Sequence, residues 1–284
     1  MFFKIYKTTL KNLFRSAIFW AAFATVILIV FYFANRGYMT SYDPILKESI
    51  PDTDPRFVLR YEKYLQTIFN SLQIWVMYIG MPIFAVISTV LVLNRNFSDS
   101  FYEIEKAGGV RPSSYLLGRL AALASVNVIV AGIASLFGLN YYYFTRGGVS
   151  KLKLSTYLTD STMRILRTVV FCELPVILLF IGLAYMIGSL IKNGFAGFVG
   201  GTGIAITLFW IGGFRRLNPL TEKYYNVHWI NAYKYFTYYD TEYSRNAIYM
   251  PSRFDEIIVW ISVLVGAALF CFTVSYLCAR LRTT

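Results

Sequence analysis

Glu173 is the residue whose placement most suggests chemistry. It stands in Phe171-Cys172-Glu173-Leu174-Pro175, inside an otherwise apolar run. An ionisable side chain in hydrocarbon is costly enough to mark function by default. A carboxylate there can meet a cationic substrate or brace a neighbouring helix through Asn127 or Asn140; nearer the headgroups it can pair with an arginine such as Arg167. Other candidates are few. The single histidine, His228, has no second histidine or paired cysteine to complete a metal site. Beside Trp229 it reads as a solvated or interfacial side chain. No GxxxxGK[ST] phosphate loop occurs, because neither Gly108-Gly109 nor the glycines of 194–203 lead into the required lysine and hydroxyl residue. No local grouping of serine, histidine and carboxylate suggests a nucleophile. The sequence therefore predicts a chain with no catalytic residue, no metal site and no cofactor of its own.

The elements that must position Glu173 are apolar helices. The chain has 284 residues, 57% hydrophobic, 18% aromatic and only 15% charged, far too little charge to cover a soluble domain. Six runs approach or exceed the roughly 18 residues needed to cross a bilayer: 17–34, 72–93, 120–142, 169–191, 195–213 and 257–278. Lipid cannot satisfy open backbone groups, so helices are the expected spans. Barrel strands would alternate polar and apolar residues, which these runs do not. The first run ends in Phe31-Tyr32-Phe33 without a small-residue cleavage site and reads as a retained span. The expected fold is thus all-α, a single polytopic membrane domain over 1–284. Cys172, Cys271 and Cys278 all fall in predicted spans and read as small core residues.

Charge sets the expected orientation. Lys4, Lys7, Lys11 and Arg15 precede the first span with no acid among them, which places the N-terminus in the cytoplasm. Six spans return the C-terminus, with Arg280 and Arg282, to the same side. Arg95, Lys106, Arg111 and Arg119 add to the cytoplasmic count, whereas Arg215-Arg216 falls on the wrong side for the rule. A net charge of +12 would suggest nucleic acid in a soluble protein. Lying between apolar spans, it points instead to anionic lipid headgroups, with nucleic acid excluded as a partner. The expected location is the plasma membrane, multi-pass.

Residues 4, 7, 11 and 15 line one helical face of 1–16. Two readings fit: a helix lying in the inner headgroup layer, or a simple extension of the first span. Residues 35–69 read as an outer loop, with Pro51 and Pro55 interrupting any helix before Arg56. In the connection 94–119, Asp99 or Ser100 can cap a short helix, Gly108-Gly109 can end it, and Ser113 can cap the next one. That helix, 98–108, would present Phe101, Tyr102, Ile104 and Glu105 either to a soluble partner or to the membrane surface. Ile191-Lys192-Asn193-Gly194 reads as a tight turn between antiparallel neighbours. Gly197 and Gly201 then form a GxxxG pair, which marks either close helix approach or a flexible point. Segment 214–256 is rich in aromatics, among them Tyr224, Tyr225, Trp229, Tyr233 and Phe236, and reads as an outer interfacial belt or an exit gate.

The run Phe101-Tyr102-Glu103-Ile104-Glu105-Lys106-Ala107-Gly108-Gly109-Val110-Arg111-Pro112-Ser113-Ser114-Tyr115-Leu116-Leu117-Gly118-Arg119 resembles the segment after the second span of ABC-2-type ABC transporter permeases. Asn218-Pro219-Leu220 followed by aromatics is similar to that family's outer segment before the last span. The resemblance implies a membrane subunit paired with a second permease subunit, identical or related, moving a hydrophobic or amphipathic substrate outward. ATP and Mg would be handled by separate nucleotide-binding subunits docked on Asp99, Phe101, Tyr102, Ile104, Glu105 and Lys106. It also implies a substrate path from the second and fifth spans, here Gln73, Met77, Tyr78, Met81 and Phe84 with Thr202, Thr207 and Phe209. Ile104 to Gly109 is similar as well to the cytoplasmic turn of mechanotransmitting ABC permeases. Those carry four core spans and a large domain after the first, where this chain has a short loop. A sensor or immunity subunit and a lipid-acting membrane enzyme using Glu173 or His228 are the remaining alternatives.

Overall fold

The computed structural model describes residues 1–40, 80–98, 111–145, 173–213 and 254–281. The described residues form seven helices and no strand: α1 Phe2–Phe14, α2 Ala17–Thr40, α3 Met81–Ser98, α4 Pro112–Thr145, α5 Leu174–Ile191, α6 Gly194–Gly213 and α7 Phe254–Leu281. Three contain segments long and apolar enough to cross a membrane: Ser113–Phe137, Leu174–Ile191 and Ile261–Cys278. A fourth is added if α1 and the first part of α2 are taken as one bent span. Met81–Asn94 and Gly194–Thr207 are shorter apolar helices. The described part of the chain is thus all-helical, with the apolar helices of a membrane protein.

The helices form one bundle with α3 at its centre. Of residues 81–93 in α3, all are buried except Ile83, Ile87 and Leu91, which are half-buried. Its neighbours alternate in direction. Phe19 of α2 meets Phe84, with ring centroids 5.5 Å apart, and Val26 lies near Gly80, so α2 and α3 are antiparallel. Gly201 and Gly194 of α6 meet Val86 and Asn94 in the same antiparallel sense. Helix α2 offers α3 and α4 a single buried stripe, Phe19, Ala22, Val26 and Val30, spaced at helical period. Its other faces leave Ile18, Trp20, Leu28 and Tyr32 exposed, as suits a helix on the lipid side. Helix α7 leaves Val263, Leu269, Phe270 and Leu277 exposed. Between helices of this kind lipid is as apolar as leucine, so close packing and polar contacts must supply the association energy.

Helix α1 does not run straight on into α2. The chain bends by 71° between them, at Arg15-Ser16, where the Trp20 indole N–H donates to the Phe14 carbonyl at 2.8 Å. The structure thereby chooses the turned helix over the simple extension. Ile5, Thr9 and Leu13 of α1 are buried, with Ile5 seated over Gly118 near the start of α4.

Several boundaries differ from the sequence reading. Helix α2 continues through Thr40, six residues past the expected end at 34. Nothing in 35–40 breaks a helix more strongly than Gly37; the first proline comes at 44. Helix α3 likewise continues to Ser98 rather than ending at 93. Ser113 does not cap α4. The Tyr115 N–H is bonded to the Arg111 carbonyl at 3.1 Å, so Arg111 takes the N-cap position and Pro112 the first helical one, where its missing N–H costs nothing. The start of the second span at 72–79, the 99–107 part of the short helix and most of the outer segment 214–256 lie outside the described residues.

Candidate functional site

Two features of the bundle combine unusual chemistry with tight geometry. The first is a junction at the end carrying the Arg15-Ser16 elbow, here called the basal end. Helix α5 closes on Lys192 in the left-handed region, φ 58°, and its N–H and that of Asn193 turn back to the Gly188 carbonyl. Asn193 then caps α6, its side-chain oxygen accepting from the Phe195 N–H at 2.8 Å. This short link folds α6 back on α5 so closely that a Cβ on Gly197 would sit 2.6 Å from the Ala184 carbonyl oxygen and 3.3 Å from the Gly188 Cα. Only glycine permits such an approach of two backbones. The GxxxG pair therefore serves close packing here, the first of its two sequence readings. The last turns of α3 join the same knot: Leu93 lies against Gly188, and the Asn94 side chain fills the space a Cβ on Gly194 would need.

The second feature is a polar seam through the centre. Ser88, Thr89, Asn127, Ser135 and Glu173 are all fully buried. The Asn127 amide donates to the Ser88 hydroxyl at 3.0 Å and to the Leu123 carbonyl at 2.8 Å, tying α3 to α4. Two turns further along α4, Ser135 lies beside Glu173, the residue before α5, without a hydrogen bond between them. Among the described residues, both carboxylate oxygens of Glu173, the Ser135 hydroxyl and the Asn127 side-chain oxygen lack hydrogen-bond partners. Glu173 has helical backbone angles, φ −76° and ψ −42°, and makes no capping bond to α5. A buried polar group left unsatisfied is expensive, so this part of the seam is where the bundle gives up stability.

Because the Asn127–Ser88 bond has one partner on each helix, the two ends respond differently to removal. Ser88→Ala leaves the amide short of an acceptor and should cost about 1 kcal/mol. Asn127→Leu removes the donor together with its orphaned oxygen and should cost less. Denaturant unfolding of the purified chain measures both; no loss on Ser88→Ala would show that the bond carries no net stability.

The residues singled out by sequence fall in different places. Met81 and Phe84, expected on a path shared by two subunits, are fully buried inside this chain's own core. Thr202 is half-buried, with a hydroxyl that has no partner among the described residues. Thr207 lies on the exposed face of α6 with Phe195, Val199, Gly203 and Ile206, its hydroxyl turned back to the Gly203 carbonyl at 2.8 Å. The backbone of Phe209 is helical. Gln73, Met77, Tyr78, Asp99, Phe101, Tyr102, Ile104, Glu105 and Lys106 lie outside the described residues, as do Arg167, Cys172 and His228. Cys271 and Cys278 are free thiols. Among the described residues, no cluster of His, Cys, Asp or Glu could hold a metal.

Sequence reasoning found Glu173 and named Asn127 as a possible brace, but missed Ser88, Ser135 and the Asn94–Gly194 contact. A serine in a transmembrane run bonds equally well to its own helix, so only the packing distinguishes a seam residue. Arg119 belongs to the basic residues of the expected cytoplasmic side, a sum that says nothing of exposure. It is buried, its guanidinium 3.9 Å from the Tyr115 ring centroid, a cation–π contact that eases burial of the charge.

The chain matches no protein-family model, no curated protein and no solved structure.

Proposed function

We propose that this chain is the permease subunit of an ABC transporter of the ABC-2 type. Two copies, or one copy and a relative, form a six-span-per-subunit, N-in/C-in membrane domain in the plasma membrane. It exports a hydrophobic or amphipathic substrate such as a peptide, lipid or drug. ATP is hydrolysed on nucleotide-binding subunits that dock on 99–107, and the basal end is the cytoplasmic one.

The observation that carries this reading is the course of α3. The most enclosed helix of the bundle runs to Ser98, immediately before the segment whose sequence resembles the family's dock. A displacement applied at 99–107 would thus act on a helix packed against α1, α2, α4, α5 and α6. Leu93 and Asn94 would pass it to the α5–α6 pair through Gly188 and Gly194. Packed interfaces of this kind shift between discrete arrangements rather than deforming smoothly. In this reading the exposed stripe of α6 around Gly203 and Thr207 is the surface available to a path shared with the second subunit. Met81 and Phe84 act as core, Phe84 against Phe19 of α2.

The test is association with an ATP-hydrolysing subunit. The wild-type chain should co-purify with one from its own membranes. Phe101→Asp or Glu105→Lys should lower that recovery at least tenfold while leaving the amount of folded permease unchanged. Undiminished recovery with both variants would remove the dock. ATP-independent activity of the isolated chain on lipid, abolished by Glu173→Gln, would replace the transporter reading by the enzyme one.

A further inference from the structure

We propose that α1 is a binding site for anionic phospholipid, with Lys4, Lys7, Lys11 and Arg15 holding headgroup phosphates while Phe3, Leu10 and Phe14 enter the acyl layer beside them. The helix has three faces at 3.6 residues per turn. Ile5, Thr9 and Leu13 point into the bundle. Next around the helix come Leu10, half-buried, and Phe3 and Phe14, which are 73% and 46% exposed. Beyond them follow Lys7, Lys11, Lys4 and Arg15, every one exposed. The apolar and basic stripes are therefore adjacent, and Phe3, Phe14 and all four cations stay exposed.

Placement brings these stripes to a bilayer surface. The 71° bend means that, with α2 upright, α1 lies nearly in the membrane plane at the level where α2 begins. The elbow is fixed by the Trp20–Phe14 hydrogen bond and by Phe14 and Phe19, whose ring centroids are 5.5 Å apart. Ile5 over Gly118 fixes the rotation of α1 about its own axis. Rotation matters because it decides which stripe meets the acyl chains and which the phosphates.

Charge selects the ligand. No acidic residue occurs before Asp43, so the four cations have no local counter-ion along this stretch. A soluble acidic protein would match the basic stripe but leave Phe3 and Phe14 in water. A phospholipid with net negative charge satisfies both stripes at once, in the manner of interfacial amphipathic helices. Basic residues at such a surface each strengthen binding of anionic lipid by up to ~5-fold. The proposal does not rest on an ATPase partner; it requires only that α1 meets the bilayer.

The experiment uses the full chain in lipid nanodiscs. Trp75, Trp210, Trp229 and Trp260 are replaced by phenylalanine, leaving half-exposed Trp20 as the reporter at the elbow. Brominated phosphatidylglycerol and brominated phosphatidylcholine are compared as quenchers. Phosphatidylglycerol should quench several-fold more effectively at equal mole fraction. The ratio should fall to about one in K4Q/K7Q/K11Q/R15Q and be retained in K4R/K7R/K11R. Native mass spectrometry of the chain with its tryptophans intact gives the same comparison as retained phosphatidylglycerol, independent of the tryptophan replacements. Equal quenching by the two lipids, or equal retention by wild type and the four-glutamine variant, would overturn the proposal. Quenching by neither lipid would also overturn it, because the elbow would then lie off the bilayer.

Discussion

Gly197→Ala is expected to destabilise the bundle by about 2–3 kcal/mol, whereas Gly203→Ala, six residues along the same helix, should leave it unchanged or stabilise it by up to ~1 kcal/mol. The contrast follows from what each new methyl group meets. At Gly197 it would stand 2.6 Å from the Ala184 carbonyl oxygen. That atom belongs to the backbone of α5 and cannot swing aside, so the two helices must separate along their whole contact. At Gly203 nothing lies within 4 Å, and alanine brings only its better helix propensity. Unfolding by denaturant in detergent, followed by circular dichroism, reads both changes. Equal effects at the two positions would mean that α5 and α6 are not held at backbone distance.

The same contact has a functional consequence if 99–107 is where an ATPase pushes. Separating α5 from α6 loosens Gly188 and Gly194 from Leu93 and Asn94 of α3. Gly197→Ala should then lower export more than it lowers binding of the ATPase. A parallel loss of both would trace the defect to folding alone.

How far the sequence could be read differs from feature to feature, and each difference has a physical cause. Apolar runs and the Ile191–Gly194 turn were legible because span length and left-handed turns have local signatures. The GxxxG pair was visible as a pattern, but whether it meant contact or flexibility depended on a partner helix, here α5 with its own Gly188. Helix ends were legible only where a breaker stood, which is why α2 and α3 overran their expected limits at 34 and 93. The bend at Arg15-Ser16 was undecidable from the chain, since neither residue breaks a helix. It is set by a tryptophan that reaches back to Phe14 and by Ile5 finding Gly118, more than a hundred residues away. Burial of Met81 and Phe84 was illegible for a similar reason: an apolar helix carries no label distinguishing a pore-facing side from a core-facing one. Arg119 shows the converse, a charge whose burial depends on the Tyr115 ring one turn before it.

Glu173→Leu is expected to raise the stability of the isolated chain by about 2 kcal/mol and, in the transporter reading, to abolish export. The carboxylate is fully buried, and among the described residues neither oxygen accepts a hydrogen bond. Removing such a group relieves a desolvation cost and sacrifices no bond to a described residue. Leucine differs little in volume, and Val176, Ile177 and Phe180 on the same helix are already close-packed. Glu173→Gln is the necessary companion. It keeps the shape, removes the ionisable proton and can donate to the Ser135 hydroxyl, so its stability should lie between wild type and Glu173→Leu. A residue kept at a cost to the fold is kept for what it does, and export or activity lost in both variants while both remain more stable than wild type would assign that role to the ionisable carboxyl. If Glu173→Leu instead loses more than ~1 kcal/mol, the carboxylate has a partner that the described residues do not supply, and the side chain is a brace. Measured by unfolding of the chain alone and again in its assembled membrane form, the difference between the two would then locate that partner inside the chain or across the subunit interface.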